Sequence, residues 1–294
     1  MLRVRASVGP IQMTWREFKG VAMNTATLGP RRDLFDTIAG CEKFHVPAIS
    51  LARSDLHRIG LRRARSSLAS SGLTITTLSR VGAFTSSEAR VRREAIDDAR
   101  TGVDEAAEIG ANCLVIIAGA PSPPDYSLPA ARSRIAEGIH TVLPYAQQAG
   151  VRLTIEPLHP WFAASRSCIN TVKEALLLSS QLGGGIGVTL DTYHVWWDPG
   201  LAGDLEHMPP GSICAFQIAD FLADTIDPMS DRGIPGEGVI DLAELARSVL
   251  AAGYTDYVDV EVMSTRWWQA DTDEIFSACL RGWAACGDSK RVRG

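Results

Sequence analysis

The sequence lacks the long apolar run that a membrane span or a signal peptide needs, although arginines occur early in it. It has no run of Lys or Arg long enough to follow a phosphate backbone, and its formal net charge is −5. Its six cysteines form no CxxC pair, and several lie in apolar segments. We therefore expect no membrane partner, no nucleic acid partner, and reduced thiols in a cytoplasmic protein.

The chain is long enough for one large domain with a full core, since 46% of its 294 residues are hydrophobic. Residues 1–20 follow neither the helical nor the strand period and are interpreted as an N-terminal extension. Residues 21–294 are interpreted as one domain, and no low-complexity segment divides them. The sequence leaves open a homo-oligomer or an assembly with a partner subunit.

Strand-like and helix-like segments alternate along this domain. Each of eight apolar, strand-like segments is followed by a helical pattern, which predicts a parallel sheet covered by helices. Several helical patterns end at a glycine that precedes the next strand. These glycines are Gly72, Gly110, Gly150 and Gly253. Since eight such units are the number that closes a barrel, the predicted fold class is α/β, a single (β/α)8 TIM barrel.

Polar side chains recur at the ends of the last four predicted strands. The strand-like run within LTIEP ends at Glu156, and the runs GVTLD, CAFQ and VDVE end at Asp191, Gln217 and Glu261. A buried carboxylate is costly without a cation or a proton, and the carboxyl ends of barrel strands meet at the catalytic mouth. An all-oxygen set suits Mn²⁺ or Mg²⁺ better than Zn²⁺. The alternative for each acid alone is a helix cap or a pair with an arginine, and Gln217 could merely satisfy backbone groups.

Three more polar residues lie on the loops after these strands. His194 in DTYH is interpreted as a substrate contact, with a metal ligand and a structural histidine as alternatives. His159 in EPLHP and Arg232 in DRGIPGEG occupy corresponding loops. A guanidinium there could hold hydroxyl or carboxylate oxygens, or it could pair with Asp231 or Glu237 instead.

Five of the seven tryptophans also follow these strands. They could wall a pocket that stacks on a sugar, or they could pack loops and subunits together. Trp161 is the one chosen as a substrate-binding candidate. The five are Trp161, Trp196, Trp197, Trp267 and Trp268.

The motifs IEPLHP, VTLDTYHVWWDP, FQIAD and DRGIPGEGVIDL, with VEVMS before a WW pair, resemble the xylose-isomerase-like barrel superfamily. The resemblance is strongest to its sugar phosphate isomerase/epimerase group, which includes ketose 3-epimerases and inosose dehydratases. It implies that Glu156, Asp191, Gln217 and Glu261 hold one divalent cation. Epimerases of this group usually have His at the third position, so Gln217 is more similar to the dehydratases.

The resemblance implies chemistry beside a carbonyl. A cation that holds the carbonyl and a neighbouring hydroxyl stabilises the enediolate formed on proton loss. Glu156 and Glu261 are the expected base and acid. We therefore expect a metal-dependent isomerase or epimerase of a keto sugar or cyclitol. No Gly-rich phosphate loop is evident beyond IPGEG, which mildly favours an unphosphorylated substrate.

Other activities remain as alternatives. The same site would serve a lyase, either an inosose-type dehydratase or a subunit of a C-glycoside deglycosidase acting on a 3-keto sugar. An apurinic endonuclease of the same superfamily is disfavoured by the acidic chain and its six histidines. A barrel that binds no metal and acts as a scaffold is the remaining class.

Overall fold

The strands form a closed parallel barrel. The computed structural model of the protein describes residues 15–124 and 126–287. Within them, eight strands pair in chain order, and β1 closes the barrel against β8. The predicted single (β/α)8 barrel is confirmed. The strands are β1 (Gly20–Asn24), β2 (Ala48–Ala52), β3 (Thr74–Gly82), β4 (Cys113–Ile117), β5 (Arg152–Ile155), β6 (Ile186–Asp191), β7 (Ile213–Ile218) and β8 (Tyr257–Val260).

Helices cover the outside of the barrel and connect its strands. The helical pattern that ends before Gly72 forms two helices, because Gly60 at φ 85° separates them. A glycine reaches that backbone conformation without the steric cost of a Cβ atom. The helices of the described residues are α1 (Leu34–Phe44), α2 (Arg53–Ile59), α3 (Leu61–Ser71), α4 (Ala89–Ile109), α5 (Leu128–Gln148), α6 (Val172–Gln181), α7 (Thr192–Val195), α8 (Leu201–Glu206), α9 (Leu242–Ala251) and α10 (Thr272–Gly287).

Local sequence explains where the helices begin and end. Asp33 and Thr171 each form a capping box at the start of α1 and α6. Their side chains accept from backbone N–H groups that would otherwise have no partner in the first turn. At the other end of α4, Gly110 adopts a left-handed conformation with φ 74°. Its N–H bonds to the last turn, so the chain reverses toward the next strand.

The predicted N-terminal extension is described only in part. Residues 1–14 of it, and residues 288–294 of the predicted domain, lie outside the described residues. Trp15 and Phe18 are buried, and Phe18 stacks on Phe216 of β7 at 5.8 Å between ring centroids. The end of the segment is therefore part of the core, and β1 begins at Gly20.

Two threonine hydroxyls hold the chain together just past the strand ends. The hydroxyl of Thr27 donates to the carbonyl of Val260 and accepts from the N–H of Val262. That of Thr192 donates to the carbonyl of Ala219 and accepts from its N–H. These bonds continue the backbone ladder on the side of the barrel where the polar strand ends lie.

Among the described helices, none combines the length and apolarity that crossing a bilayer would require.

Candidate active site

The four predicted strand-end residues lie at one end of the barrel. Asp191 is the last residue of β6 and pairs in register with Gln217 of β7. Glu156 and Glu261 directly follow β5 and β8. The side chains of Glu156, Asp191 and Gln217 are buried, and that of Glu261 is 12% exposed. Adjacent parallel strands thus deliver three carboxylates and one amide to the same closed space.

Arg232 joins two of these carboxylates. Its Nη1 lies 2.8 Å from Oδ2 of Asp191 and 3.0 Å from Oε2 of Glu261, and only 1% of its side chain is exposed. Its guanidinium also lies over the ring of Tyr193 at 4.5 Å. The alternative partners considered from the sequence are engaged elsewhere: Asp231 accepts from backbone N–H groups and Glu237 pairs with Arg266.

A buried aspartate shapes the loop that carries Arg232. Both carboxylate oxygens of Asp220 accept backbone N–H groups, from Phe221 and Ile240 at Oδ1 and from Gly236 at Oδ2. The backbone N–H of Arg232 itself donates to the carbonyl of Met263. These bonds fold the DRGIPGEG segment over the end of the barrel and aim the guanidinium inward.

Burial and mutual repulsion shift the ionisation of the carboxylates. Burial raises the pKa of Glu156 well above its ordinary value, and the charges of Glu261 and Asp191 add to the rise. Burial raises the pKa of Asp191 to about 6, while Arg232 opposes that shift. Burial disfavours the charge of Arg232, yet Asp191 and Glu261 keep its pKa above the usual value. When all three acids are ionised, the cluster carries more negative charge than Arg232 balances, and this excess contributes to the raised pKa values.

His194 lies among the same groups. Its Nε2 is 3.6 Å from Oε1 of Glu156 and 3.8 Å from Oδ2 of Asp191, and these three residues form a geometrically suitable metal-binding group. Its Nδ1, however, accepts from the backbone N–H of His159. Burial lowers the pKa of His194 well below its usual value, so the ring is neutral. Nη2 of Arg232 lies 3.2 Å from Nε2, and a guanidinium can only donate, so both ring nitrogens of His194 face N–H donors and neither contact accounts for the proton of the neutral ring.

Asp259 is a site residue that the sequence interpretation missed. It is 1% exposed and lies on β8 two residues before Glu261, so the strand period places both on the inner face. Its Oδ2 accepts from Nε2 of Gln217 at 3.0 Å and from Nδ2 of Asn24 at 3.2 Å. Burial raises the pKa of Asp259 to about 7, although the hydrogen bond from Gln217 lowers it.

This contact orients the amide of Gln217. Because Nε2 is committed to Asp259, Oε1 is left as a buried acceptor with no hydrogen bond among the described residues. Such an atom needs a partner, since burying an acceptor without one costs about 1–3 kcal/mol. Gln217 is in register with Asp191, so its oxygen belongs to the same polar cluster.

The bond to Asp259 is one step of a longer hydrogen-bonded layer inside the barrel. The layer begins at Thr77 on β3 and passes through Ser50 on β2 and Asn24 on β1. It continues through Asp259 on β8 to Gln217 on β7. Nδ2 of Asn24 also donates to Oε1 of Glu261 at 3.1 Å.

The donor set fits a divalent cation. Glu156, Asp191 and Glu261 supply three carboxylates, and Arg232 supplies one positive charge to them. With all three acids ionised, the remaining charge of about −2 equals the charge that a divalent ion would neutralise. The oxygen of Gln217, which accepts no hydrogen bond among the described residues, is of the type that hard cations prefer.

A cavity of about 340 Å³ opens onto this cluster. The residues that line it include Glu156, Glu261, His194 and Arg232, so a substrate in the cavity would reach both predicted catalytic acids. Two arginines that were not predicted from the sequence also line it. One lies on β3 and the other on the loop before α6, and neither belongs to a recognisable sequence motif. They are Arg80 and Arg166. A larger cavity of about 770 Å³ lies at the opposite end, lined by residues that precede or begin strands.

His159 and Trp161 do not line this cavity in the part of the chain that the structure describes. His159 stacks on Phe221 at 5.7 Å between centroids, and burial lowers its pKa. Its Nδ1 accepts from the N–H of Trp161, whose side chain points outward with 56% exposed. The geometry thus places these two candidates at the periphery.

The other strand-end tryptophans pack loops together. The indole N–H of Trp197 donates to the carbonyl of His194, and that of Trp268 donates to the carbonyl of Ala26. The indole N–H of Trp267 donates to Glu237. Of the two interpretations considered from the sequence, the packing of loops therefore describes these three residues.

Known proteins share both the fold and part of the sequence. Protein SMc04130 from Sinorhizobium meliloti 1021 has a crystal structure that is 42% identical, with a TM-score of 0.88 over 91% of this chain and 98% of that chain. The IolI protein, solved with a zinc atom, is 17% identical with a TM-score of 0.78 over 92% of this chain and 99% of that chain, a likeness of fold alone.

A curated enzyme matches a shorter part. The fructoselysine 3-epimerase of Shigella flexneri is 28% identical over 183 residues, which are 59% of this chain and 60% of that enzyme. The match therefore spans less than two thirds of the relative's length.

A family model described as xylose isomerase-like TIM barrel matches residues 35–279. The match includes all four strand-end residues and Arg232. The family expected from the motifs is confirmed, and the chain belongs to the xylose isomerase-like TIM barrel family.

Proposed function

We propose that the protein is a divalent-metal-dependent isomerase or epimerase that acts on a keto sugar or cyclitol. The observation that carries the proposal is the buried cluster of three carboxylates and one guanidinium, which opens onto a cavity. With its acids ionised, the cluster has an excess charge of about −2. The likeness to fructoselysine 3-epimerase supports the same class of reaction. A small carbohydrate substrate suits the size of the cavity, about 340 Å³.

The proposed ligands are Glu156, Asp191, Gln217 and Glu261. Their oxygens favour Mn²⁺ or Mg²⁺ as the cation. The contact between Nε2 of His194 and Nη2 of Arg232 at 3.2 Å supports this oxygen set, because the guanidinium already lies at the nitrogen that would face the cation. A divalent cation, when bound, would polarise the substrate carbonyl as a Lewis acid.

The remaining roles follow from position. Glu156 and Glu261 come from β5 and β8, with two strands between them, so they approach a bound substrate from different sides. One takes the proton from the carbon beside the carbonyl, and the other delivers a proton to the opposite face. His194, which lines the cavity, contacts a substrate oxygen. Arg232 bridges Asp191 and Glu261 and donates to a substrate hydroxyl.

His159 and Trp161 act at the entrance in this proposal. The backbone N–H of His159 donates to Nδ1 of His194 and so holds its ring in place. Trp161, with 56% of its surface exposed, provides an indole against which a substrate extending out of the cavity would pack.

A lyase using the same residues is the second candidate, and Gln217 is the observation that favours it. The epimerases that this chain resembles usually have His at this position. Its Gln is more similar to the residue of the dehydratases. Expulsion of a hydroxyl or an aglycone would begin with the same proton abstraction by Glu156 or Glu261.

Reactions followed in D₂O test the proposal. Purified protein would be loaded with Mn²⁺, its metal content measured, and ketohexoses, inosose and a 3-keto-glucoside supplied. We expect one bound cation per chain, deuterium at the carbon beside the carbonyl, and an isomeric product. Glu156→Gln and Glu261→Gln should each lower the exchange rate at least about 100-fold, while Glu108→Gln on the outer surface should not.

Other outcomes would replace the proposal. Loss of water or of an aglycone would establish the lyase instead. Nicking of abasic DNA would point to the endonuclease branch. Failure to retain any divalent ion, with no exchange in any sugar, would overturn the enzyme proposal.

A further inference from the structure

Four arginines line the cavity, and two of them have no acidic partner among the described residues. Arg53 pairs with Glu105 and Asp98, and Arg232 pairs with Asp191 and Glu261. Arg80 and Arg166 form no salt bridge in the part of the chain described. With the three acids neutralised by the proposed cation, these two guanidiniums are unbalanced positive charge in the same cavity.

Arg166 is held against uncharged groups. Its guanidinium lies 5.6 Å from the ring centroid of Phe162, and its Nη1 contacts the sulfur of Met229 at 2.7 Å. Its side chain is half-buried. Burial lowers the pKa of Arg166, the positive charge of Arg80 lowers it further, and Glu156 and Glu261 oppose the fall. Because Arg80 and Arg166 line the same cavity, their guanidiniums repel, and an anion bound between them would relieve the repulsion.

Arg80 is anchored through its backbone, while its side chain is left available. Nη1 of Arg53 donates to the carbonyl of Arg80, and Arg53 is itself fixed by Glu105 at 2.6 Å. The side chain of Arg80 is exposed and donates no hydrogen bond among the described residues. A residue with a fixed backbone and an uncommitted guanidinium is well placed to bind a ligand.

We propose that Arg80 and Arg166 form a subsite for an anionic substituent of the substrate, a carboxylate or a phosphate. The subsite lies between Arg80 on β3 and Arg166 on the loop after β5, so the substrate would span from the acidic cluster to the two arginines. This inference rests on the proposed sugar isomerase or epimerase function and adds the substrate's charge to it. Guanidiniums recognise carboxylate and phosphate oxygens in bidentate geometry without a Gly-rich loop.

Binding of matched ketoses tests the subsite without requiring turnover. Calorimetric titration of the Mn²⁺-loaded protein would compare D-fructose, D-fructose 6-phosphate and D-fructuronate. We expect at least one of the two anionic sugars to bind about tenfold or more tightly than D-fructose. The sugar that gains affinity distinguishes phosphate from carboxylate.

Two variants and a control assign that gain to the arginines. Arg80→Gln and Arg166→Gln should each remove most of the preference for the anionic sugar and leave the affinity for D-fructose within about twofold. Arg93→Gln, an exposed arginine on α4 without a salt bridge among the described residues, should change neither value. Added NaCl should weaken the preference in the unmodified protein.

The proposal is overturned if neither anionic sugar binds more tightly than D-fructose, or if the preference survives both arginine substitutions. The result is independent of the reaction assay. An anion preference without deuterium exchange would support the subsite and contradict the proposed function. Deuterium exchange without an anion preference would support the proposed function and contradict the subsite.

Discussion

The guanidinium of Arg232 and the carboxylate of Asp191 form an ion pair 2.8 Å long with both side chains almost fully buried. Replacing Arg232 by Gln would leave the acids without their internal cation, and we expect a loss of about 3–5 kcal/mol in the free energy of unfolding. Mn²⁺ should restore more stability to this variant than to the unmodified protein, because it would bind only the folded state. Urea unfolding with and without Mn²⁺ measures both effects. An equal gain from Mn²⁺ in the two proteins would contradict the charge argument.

The bond between Gln217 and Asp259 predicts a second effect on metal affinity. Asp259→Ala removes the oxygen that accepts from Gln217 and Asn24, so the amide of Gln217 loses its fixed orientation. We expect Mn²⁺ to bind about 10–100-fold more weakly. Calorimetric titration with Mn²⁺ checks this, and Asp256→Ala, at an exposed position before the same strand, is the control. Equal affinities in all three proteins would show that Asp259 does not position Gln217.

Two acids on α4 should differ in their contribution to stability. Glu105 is buried, 2.6 Å from Nε of Arg53 and 2.7 Å from Nε2 of His57. Its replacement by Ala would leave the buried Arg53 with Asp98 as its remaining acidic partner and an unsatisfied Nε–H, at a cost of about 1–3 kcal/mol. Glu108, one turn away, pairs with Arg65 on the surface, and Glu108→Ala should cost at most about 1 kcal/mol. Chemical denaturation of the two variants checks the contrast, and similar losses would refute it.

Two helical glycines should respond oppositely to alanine. A Cβ atom on Gly40 of α1 would lie 2.2 Å from the ring of Phe276, so Gly40→Ala should cost about 1–3 kcal/mol as the helices shift. A Cβ atom on Gly203 of α8 would meet nothing within 4 Å. Gly203→Ala should therefore raise stability by up to about 1 kcal/mol, since alanine favours the helix. Thermal unfolding of both variants provides the measurement, and a destabilised Gly203→Ala would count against this reasoning.

The barrel could be predicted because its signals are local and repeated. Eight apolar segments, with helical patterns and terminal glycines between them, define the order of the elements without any long-range contact. The break at Gly60 could not be recognised in the same way, because basic residues continue the helical pattern on both sides of it. Only the backbone conformation shows where one helix ends and the next begins.

Side chains of the site were predictable where their chemistry is costly in a strand. Glu156, Asp191 and Glu261 were found by that criterion, and the same alternation would have found Asp259. Arg80 and Arg166 could not be found in this way, because arginines at strand ends and on loops are common in any soluble barrel. The ring of His194 contacts the backbone N–H of His159 and the guanidinium of Arg232, which come from two other loops, and no sequence pattern reports such contacts.

The hydrogen-bonded layer that runs from Thr77 through Ser50, Asn24 and Asp259 to Gln217 joins five neighbouring strands. A substitution at any of these positions would disturb several others, so the reactive end of the cavity resists gradual change. Arg166 lies on a loop outside this layer, and the side chain of Arg80 makes no hydrogen bond to it. A lineage of such barrels could therefore exchange one substrate for another at the arginine end while the acid chemistry stays constant.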